Sequence, residues 1–157
     1  MGFLDRAQIN FIANPLINIT LQGRCDTYPK RRGVTRVKEL WQRGINVSLG
    51  HDCICDPWYP LGTGSMLDVA NMALHVCQMT GREEIDACYN MVTWNGARTL
   101  GIEAYGLAVG QPANLIVLAA SDRYDALRRR PAVRYVISRG RILAETAPPQ
   151  TTWCHNH

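Results

Sequence analysis

Gly44-Ile45-Asn46-Val47-Ser48-Leu49-Gly50-His51-Asp52 is a short apolar run that ends on a histidine and an acid. It reads as a strand: aliphatic and β-branched residues fill its centre and Gly44 punctuates its start. Upstream, Ile9-Asn10-Phe11-Ile12-Ala13 reads as another strand, stopped by Asn14-Pro15. The polar segment from Asn18 to Gly33, with Gly23, Pro29 and Lys30-Arg31-Arg32, reads as a long loop. A short helix follows. Thr35 is placed to cap it, Val37, Leu40 and Trp41 share one face, and Gly44 ends it. Strand, loop, helix and strand make a βαβ unit, which predicts parallel strands joined by a right-handed crossover. Functional groups gather at the C-terminal ends of such strands, so Asn14 and Asp52 are expected on one rim.

Downstream, Asp56-Pro57-Trp58-Tyr59-Pro60-Leu61-Gly62 is irregular, because two prolines and a glycine forbid regular structure. Helical spacing returns at Ser65 through Met66, Val69, Ala70, Ala73 and Cys77. Further helices are expected from about Glu83 to Thr93 and over Ala97 to Leu100. Beyond Gly101 the texture changes. Asn114-Leu115-Ile116-Val117-Leu118 reads as a buried strand and Asp122 to Arg130 as a short helix. Val133 to Ile137 and Ile142 to Ala144 read as a hairpin about Gly140. The expected division is an α/β segment over 1–105, a small β unit over 106–147 and a tail over 148–157.

The chain of 157 residues suffices for a core but is short for a complete (β/α)8 barrel, which takes about 250. Its 46% hydrophobic and 19% charged residues describe a globular protein rather than a disordered one. No stretch approaches the roughly 20 apolar residues of a membrane span, and the first residues do not resemble a signal peptide. Ala7 stands where a myristoylation motif wants Ser or Thr. Cytoplasm is therefore the expected location, with the six cysteines as free thiols and Cys77 and Cys88 as apolar filling.

Asp52 is the foremost chemical candidate: a carboxylate at a strand mouth can hold a divalent metal or take a proton from water, or else cap a loop. His51 can orient that acid, touch substrate or pack against a neighbouring strand. Trp58 and Tyr59 can stack on a planar heterocycle or anchor their loop. Cys53 and Cys55 are spaced more closely than structural zinc sites usually have them. The His155-Asn156-His157 pair follows Pro148-Pro149 without a strand to align it, and His75 falls in a helical stretch. The arginines at 123, 128, 129, 130, 134, 139 and 141 form a solvated face or subunit contact, with no nucleic-acid motif among them.

Gly50 to Gly62 resembles the loop after the last barrel strand of bacterial cytosine deaminases in the amidohydrolase superfamily. Ala97-Arg98-Thr99-Leu100-Gly101, Tyr105-Gly106 and Gly110 to Leu118 resemble the superfamily's C-terminal region, where the chain leaves the barrel for a small β domain. Leu21 to Arg24, Thr27 to Gly33 and Ala126 to Arg129 are similar to cytosine deaminases as well.

The resemblance implies the C-terminal part of a (β/α)8 barrel, its last strands and helices, plus strands of a small β-sandwich. It implies hydrolysis of cytosine to uracil and ammonia with one divalent metal, iron or zinc. Asp52 matches the residue that binds the metal and shuttles the proton, and Trp58 an aromatic beside the substrate. Cys53 replaces an aspartate near the base ring, which leaves other amino-heterocycles open: triazines, isocytosine or creatinine-like rings. His51, Cys53 and Trp58 are thus the expected substrate contacts and Asp52 the expected metal ligand. The family's His-x-His strand and its later histidines and glutamate have no match here. The lone chain is therefore expected to be inactive and to need a complementing N-terminal half or self-association. Alternatives are a non-catalytic interaction module, or a small zinc protein using Cys53, Cys55, Cys154 and the terminal histidines.

Overall fold

β1 (Phe11–Ala13) and β2 (Val47–Leu49) run parallel, with Phe11 opposite Val47, Ile12 opposite Ser48 and Ala13 opposite Leu49. The structure, a computed structural model, describes residues 7–31 and 33–154. α1 (Pro15–Leu21) leaves directly from β1, and α2 (Val37–Gln42) leads into β2. The chain therefore contains the βαβ unit expected from its sequence.

The details differ in three places. Residues 18–21, expected to open a polar loop, belong to α1. Pro15 starts that helix without losing a needed N–H, and Leu16 and Ile17 anchor it in the core. Arg36, not Thr35, stands at the cap position of α2, without a side-chain cap bond. β2 begins after Ile45 because the Ile45 N–H is taken by Leu40 O at 3.2 Å in the turn that closes α2.

α3 (Met66–Val76), α4 (Arg82–Met91) and α5 (Trp94–Thr99) pack on β2. Ser65 caps α3 by accepting the Asp68 N–H. Val47, Val69, Ala70, Ala73, Met79, Cys88 and Met91 are wholly buried, so the core lies directly behind β2. β2 is buried along its length, and its polar atoms are matched accordingly. Asn95 Nδ2 donates to Val47 O at 2.8 Å. Thr99 Oγ1 donates to Ser48 Oγ at 3.1 Å, and Ser48 Oγ to Phe11 O at 3.3 Å. These bonds fix the strand whose end carries the candidate acid.

β3 (Leu115–Leu118), β4 (Val133–Ser138) and β5 (Arg141–Glu145) form an antiparallel sheet in that order. α6 (Arg123–Arg129) connects β3 to β4, capped by Asp122. Leu127 is fully buried and Asn71 Nδ2 donates to its carbonyl at 3.0 Å, tying α6 to α3. β3 corrects one expectation: Ile116 and Val117 are 51% and 39% exposed. The apolar run marked a strand correctly, but a three-stranded sheet leaves part of its apolar surface uncovered. No helix among the described residues is long and apolar enough to cross a membrane. The six cysteines are free thiols, with Cys88 wholly buried beside Met79.

Candidate functional site

The last rung joining the parallel strands is Gly50 N to Ala13 O, at 2.9 Å. Two residues later Asp52 adopts φ 63°, a left-handed conformation that Asp tolerates better than most residues. Its exposed carboxylate lies over the rim, where Asn14 Nδ2 donates to Oδ2 at 2.9 Å. An amide from the end of β1 thus meets an acid from the end of β2. A Cβ on Gly50 would collide with Asn14 Oδ1, so the missing side chain there leaves room for the pair.

Cys53 Sγ lies 3.5 Å from Asp52 Oδ1 as a donor. Its thiol is pushed up to about 12 by its bond to the Asp56 carboxylate, then by burial and by Asp52, so it stays neutral. Asp56 also organises the loop: Oδ1 accepts the Trp58 and Tyr59 N–H groups, each at 2.9 Å. Those bonds hold the Asp56 carboxyl below its usual range, with Cys53 the largest contributor.

His51 is buried. Nδ1 faces Cys53 O at 2.8 Å and Nε2 accepts the Gly64 N–H at 3.2 Å. These partners place the ring proton on Nδ1. Both ring nitrogens are committed to the loop backbone, which the imidazole clasps across its two ends. Gly62 makes room for the ring, since a Cβ there would lie 2.7 Å from His51 Cε1. The two aromatic neighbours divide the roles open to them: Tyr59 is buried edge-on to His51, while the Trp58 indole is 65% exposed.

The structure brings Asp52, Cys53 and His51 into one short segment, with Trp58 on the same loop. Sequence reasoning placed Asn14 on the rim but did not foresee its bond to Asp52. It also passed over Asp56, although Asp-Pro at the start of a turn signals a carboxylate that binds backbone two residues on. The roles of Gly50 and Gly62 required coordinates.

The donors here do not fit a metal by themselves. Among the described residues no group of three or more His, Cys, Asp or Glu side chains can hold an ion. Asp52 is one carboxylate, whereas catalytic zinc takes three protein ligands and a water. Cys55 and Cys154 are exposed, and His155 and His157 lie outside the described residues. His75 is exposed on α3, with Nδ1 2.8 Å from Asn71 O. Several arginines are engaged locally: Arg129 and Arg128 with Asp125, Arg130 with Asp68, and Arg123 over the Tyr89 ring.

The geometry places a carboxylate on the rim of a parallel strand pair, and the sequence match assigns the family. Residues 4–144 match the amidohydrolase family, to which the chain belongs. Enzymes of this family use a divalent metal. The solved 5-methylcytosine deaminase from Klebsiella pneumoniae, liganded with 5-fluorocytosine, is 44% identical at a TM-score of 0.91. That alignment covers 97% of this chain and 37% of the deaminase. A pterin deaminase of Rhizobium rhizogenes is 30% identical over 150 residues, 94% of this chain and 34% of the relative. An N-isopropylammelide isopropyl amidohydrolase of Pseudomonas sp. is 34% identical over 110 residues, 69% of this chain and 27% of the relative. The chain thus spans about a third of the length of the curated relatives it matches.

Proposed function

We propose that this chain is the C-terminal part of a cytosine-deaminase-like amidohydrolase, comprising the last strands and helices of a (β/α)8 barrel and part of a small β-sandwich. The observation that carries the reading is Asp52 over the rim of two parallel strands, held by Asn14 from the neighbouring strand. The enzyme is a cytoplasmic deaminase of amino-pyrimidines. Water adds to the ring carbon bearing the amino group, the carbon–nitrogen bond breaks, and ammonia leaves as the carbonyl forms. Asp52 accepts the proton of the attacking water and passes it toward the departing nitrogen. Asp52 would also be one ligand of the family's divalent metal, iron or zinc, which would supply an activated water; the other ligands would have to come from outside these residues.

Substrate choice turns on Cys53. Its neutral thiol, between two carboxylates, suits a ring carrying a methyl group better than a carboxylate at this position would. The name of the Klebsiella relative supports the same choice. Trp58 covers the ring, while His51 acts by holding the loop that presents both residues. Replacing the matching segment of the Klebsiella enzyme with this chain tests the reading. The chimera should favour 5-methylcytosine over cytosine in kcat/KM, and Cys53→Asp should reverse that order. A chimera that prefers cytosine, with a preference indifferent to residue 53, would refute the assignment of Cys53.

A further inference from the structure

We infer that Asn14 is the positioning residue of the site: its amide holds the Asp52 carboxylate in one orientation. The inference rests on the reading of Asp52 as the hydrolytic acid and adds the group that aims it. Three observations converge on Asn14.

Asn14 stands at the N-cap of α1, where an asparagine oxygen ordinarily accepts a backbone N–H of the first helical turn. Asn14 makes no such bond; the helix starts on Pro15 and the Asn14 carbonyl takes the Asn18 N–H at 3.0 Å. The side chain is instead spent across the strand gap, donating from Nδ2 to Asp52 Oδ2 at 2.9 Å.

Residue 50 is built around that amide. A Cβ on Gly50 would collide with Asn14 Oδ1 and lie 3.2 Å from Ile12 Cγ2. Gly50 has a φ outside the left-handed range that favours glycine. Its lack of a side chain is explained by the amide that occupies the space.

Asp52 needs such a partner. It is exposed, its backbone is in the left-handed region, and no cation is paired with it among the described residues. A neutral amide restrains one carboxylate oxygen without adding charge. Among the described residues the other oxygen accepts only the Cys53 thiol, a weak donor, at 3.5 Å. An exposed aspartate without a restraint samples several staggered rotamers.

Solution NMR of the labelled 157-residue chain tests this without requiring turnover. Three-bond couplings to Asp52 Cγ report its χ1 distribution. The wild-type chain should show one rotamer. Asn14→Leu and the isosteric Asn14→Asp, which removes the donor and adds a like charge, should both shift the couplings to averaged values. Gly50→Ala should do the same by displacing the amide. In each variant the Phe11–Val47 strand pairing should persist in amide contacts, separating lost positioning from lost fold. Averaged couplings in the wild type would overturn the inference, as would a single unchanged Asp52 rotamer in a folded Asn14→Asp chain. Neither result depends on catalysis. A fixed Asp52 in a chimera that fails to deaminate would count against the proposed function alone.

Discussion

His51 Nε2 and the Gly64 N–H meet at 3.2 Å, closing a loop whose ends are 13 residues apart in sequence. The same ring reaches Cys53 O through Nδ1, so one imidazole sets both the start and the finish of the segment that carries Cys53 and Trp58. Replacing it hands a backbone donor and a backbone acceptor to solvent and unties the two ends of the loop. His51→Leu should cost about 0.5–1.5 kcal/mol in urea unfolding, the net range for a hydrogen bond whose partners water can reach. Limited proteolysis should then cut faster between residues 53 and 64 than it does in the wild type. Gly62→Ala should open the same loop, because its Cβ would meet His51 Cε1 at 2.7 Å and Cys53 O at 2.9 Å.

Cys53 should be slow to alkylate. Its thiol lies above the ordinary range, at about 12, held there first by the Asp56 carboxylate. Only the thiolate is a good nucleophile. At pH 8 iodoacetamide should therefore modify exposed Cys25 and Cys154 well before Cys53, as read by peptide mass spectrometry. Asp56→Asn should bring the thiol down and quicken its reaction. Equal rates at Cys25 and Cys53 in the wild type would contradict the geometry.

Lys38 links α2 to α4 through Glu84 at 2.6 Å. Glu84 is lowered in the folded protein, first by Lys38 and then by the Gly81 N–H it accepts. Its contribution is thus fully present above the unfolded carboxyl value of about 4.3 and is lost as pH falls through the lower folded value. Glu84→Gln should cost about 0.5–1 kcal/mol at pH 7. The difference from wild type should close progressively in acid, measured by urea unfolding across pH 7 to 3.

Leu127 is the buried anchor of α6 against α3 and α4. Leu127→Ala should destabilise the chain by about 2–5 kcal/mol, the range for deleting a packed leucine. Calorimetry or urea unfolding reads this directly. A loss below 1 kcal/mol would mean that α6 contributes little to the fold.

The sequence showed the parallel βαβ unit because alternation and punctuation mark strands and helices locally. It also showed the helix from Ser65, the Asp122 helix and the terminal hairpin; the caps that Ser65 and Asp122 supply came from the structure. Helix α1 was hidden because Asn18 and Thr20 make its outer face look like loop, while its burial is concentrated in Pro15, Leu16 and Ile17 at its start. The exposure of Ile116 was hidden because an apolar run records strand propensity and not which face is covered. Asp52 was legible as an acid at the mouth of a strand, but the strand itself was read too long: β2 ends at Leu49, and His51 and Asp52 stand in the loop beyond it. The bond of Asp52 to Asn14, 38 residues away, was not legible, because side-chain contact across two strands depends on register and on the missing side chain of Gly50.

The central claim is that Asp52 is the acid of an amino-pyrimidine deaminase whose remaining metal ligands lie on other strands. The most direct measurement is ultraviolet loss of 5-methylcytosine by zinc- or iron-loaded proteins: the lone chain, the Klebsiella chimera, and the chimera carrying Asp52→Asn. The account predicts no turnover by the lone chain, turnover by the chimera, and a fall of about 10²–10⁴-fold on Asp52→Asn. Turnover by the lone chain, or an Asp52→Asn chimera as active as its parent, would contradict it.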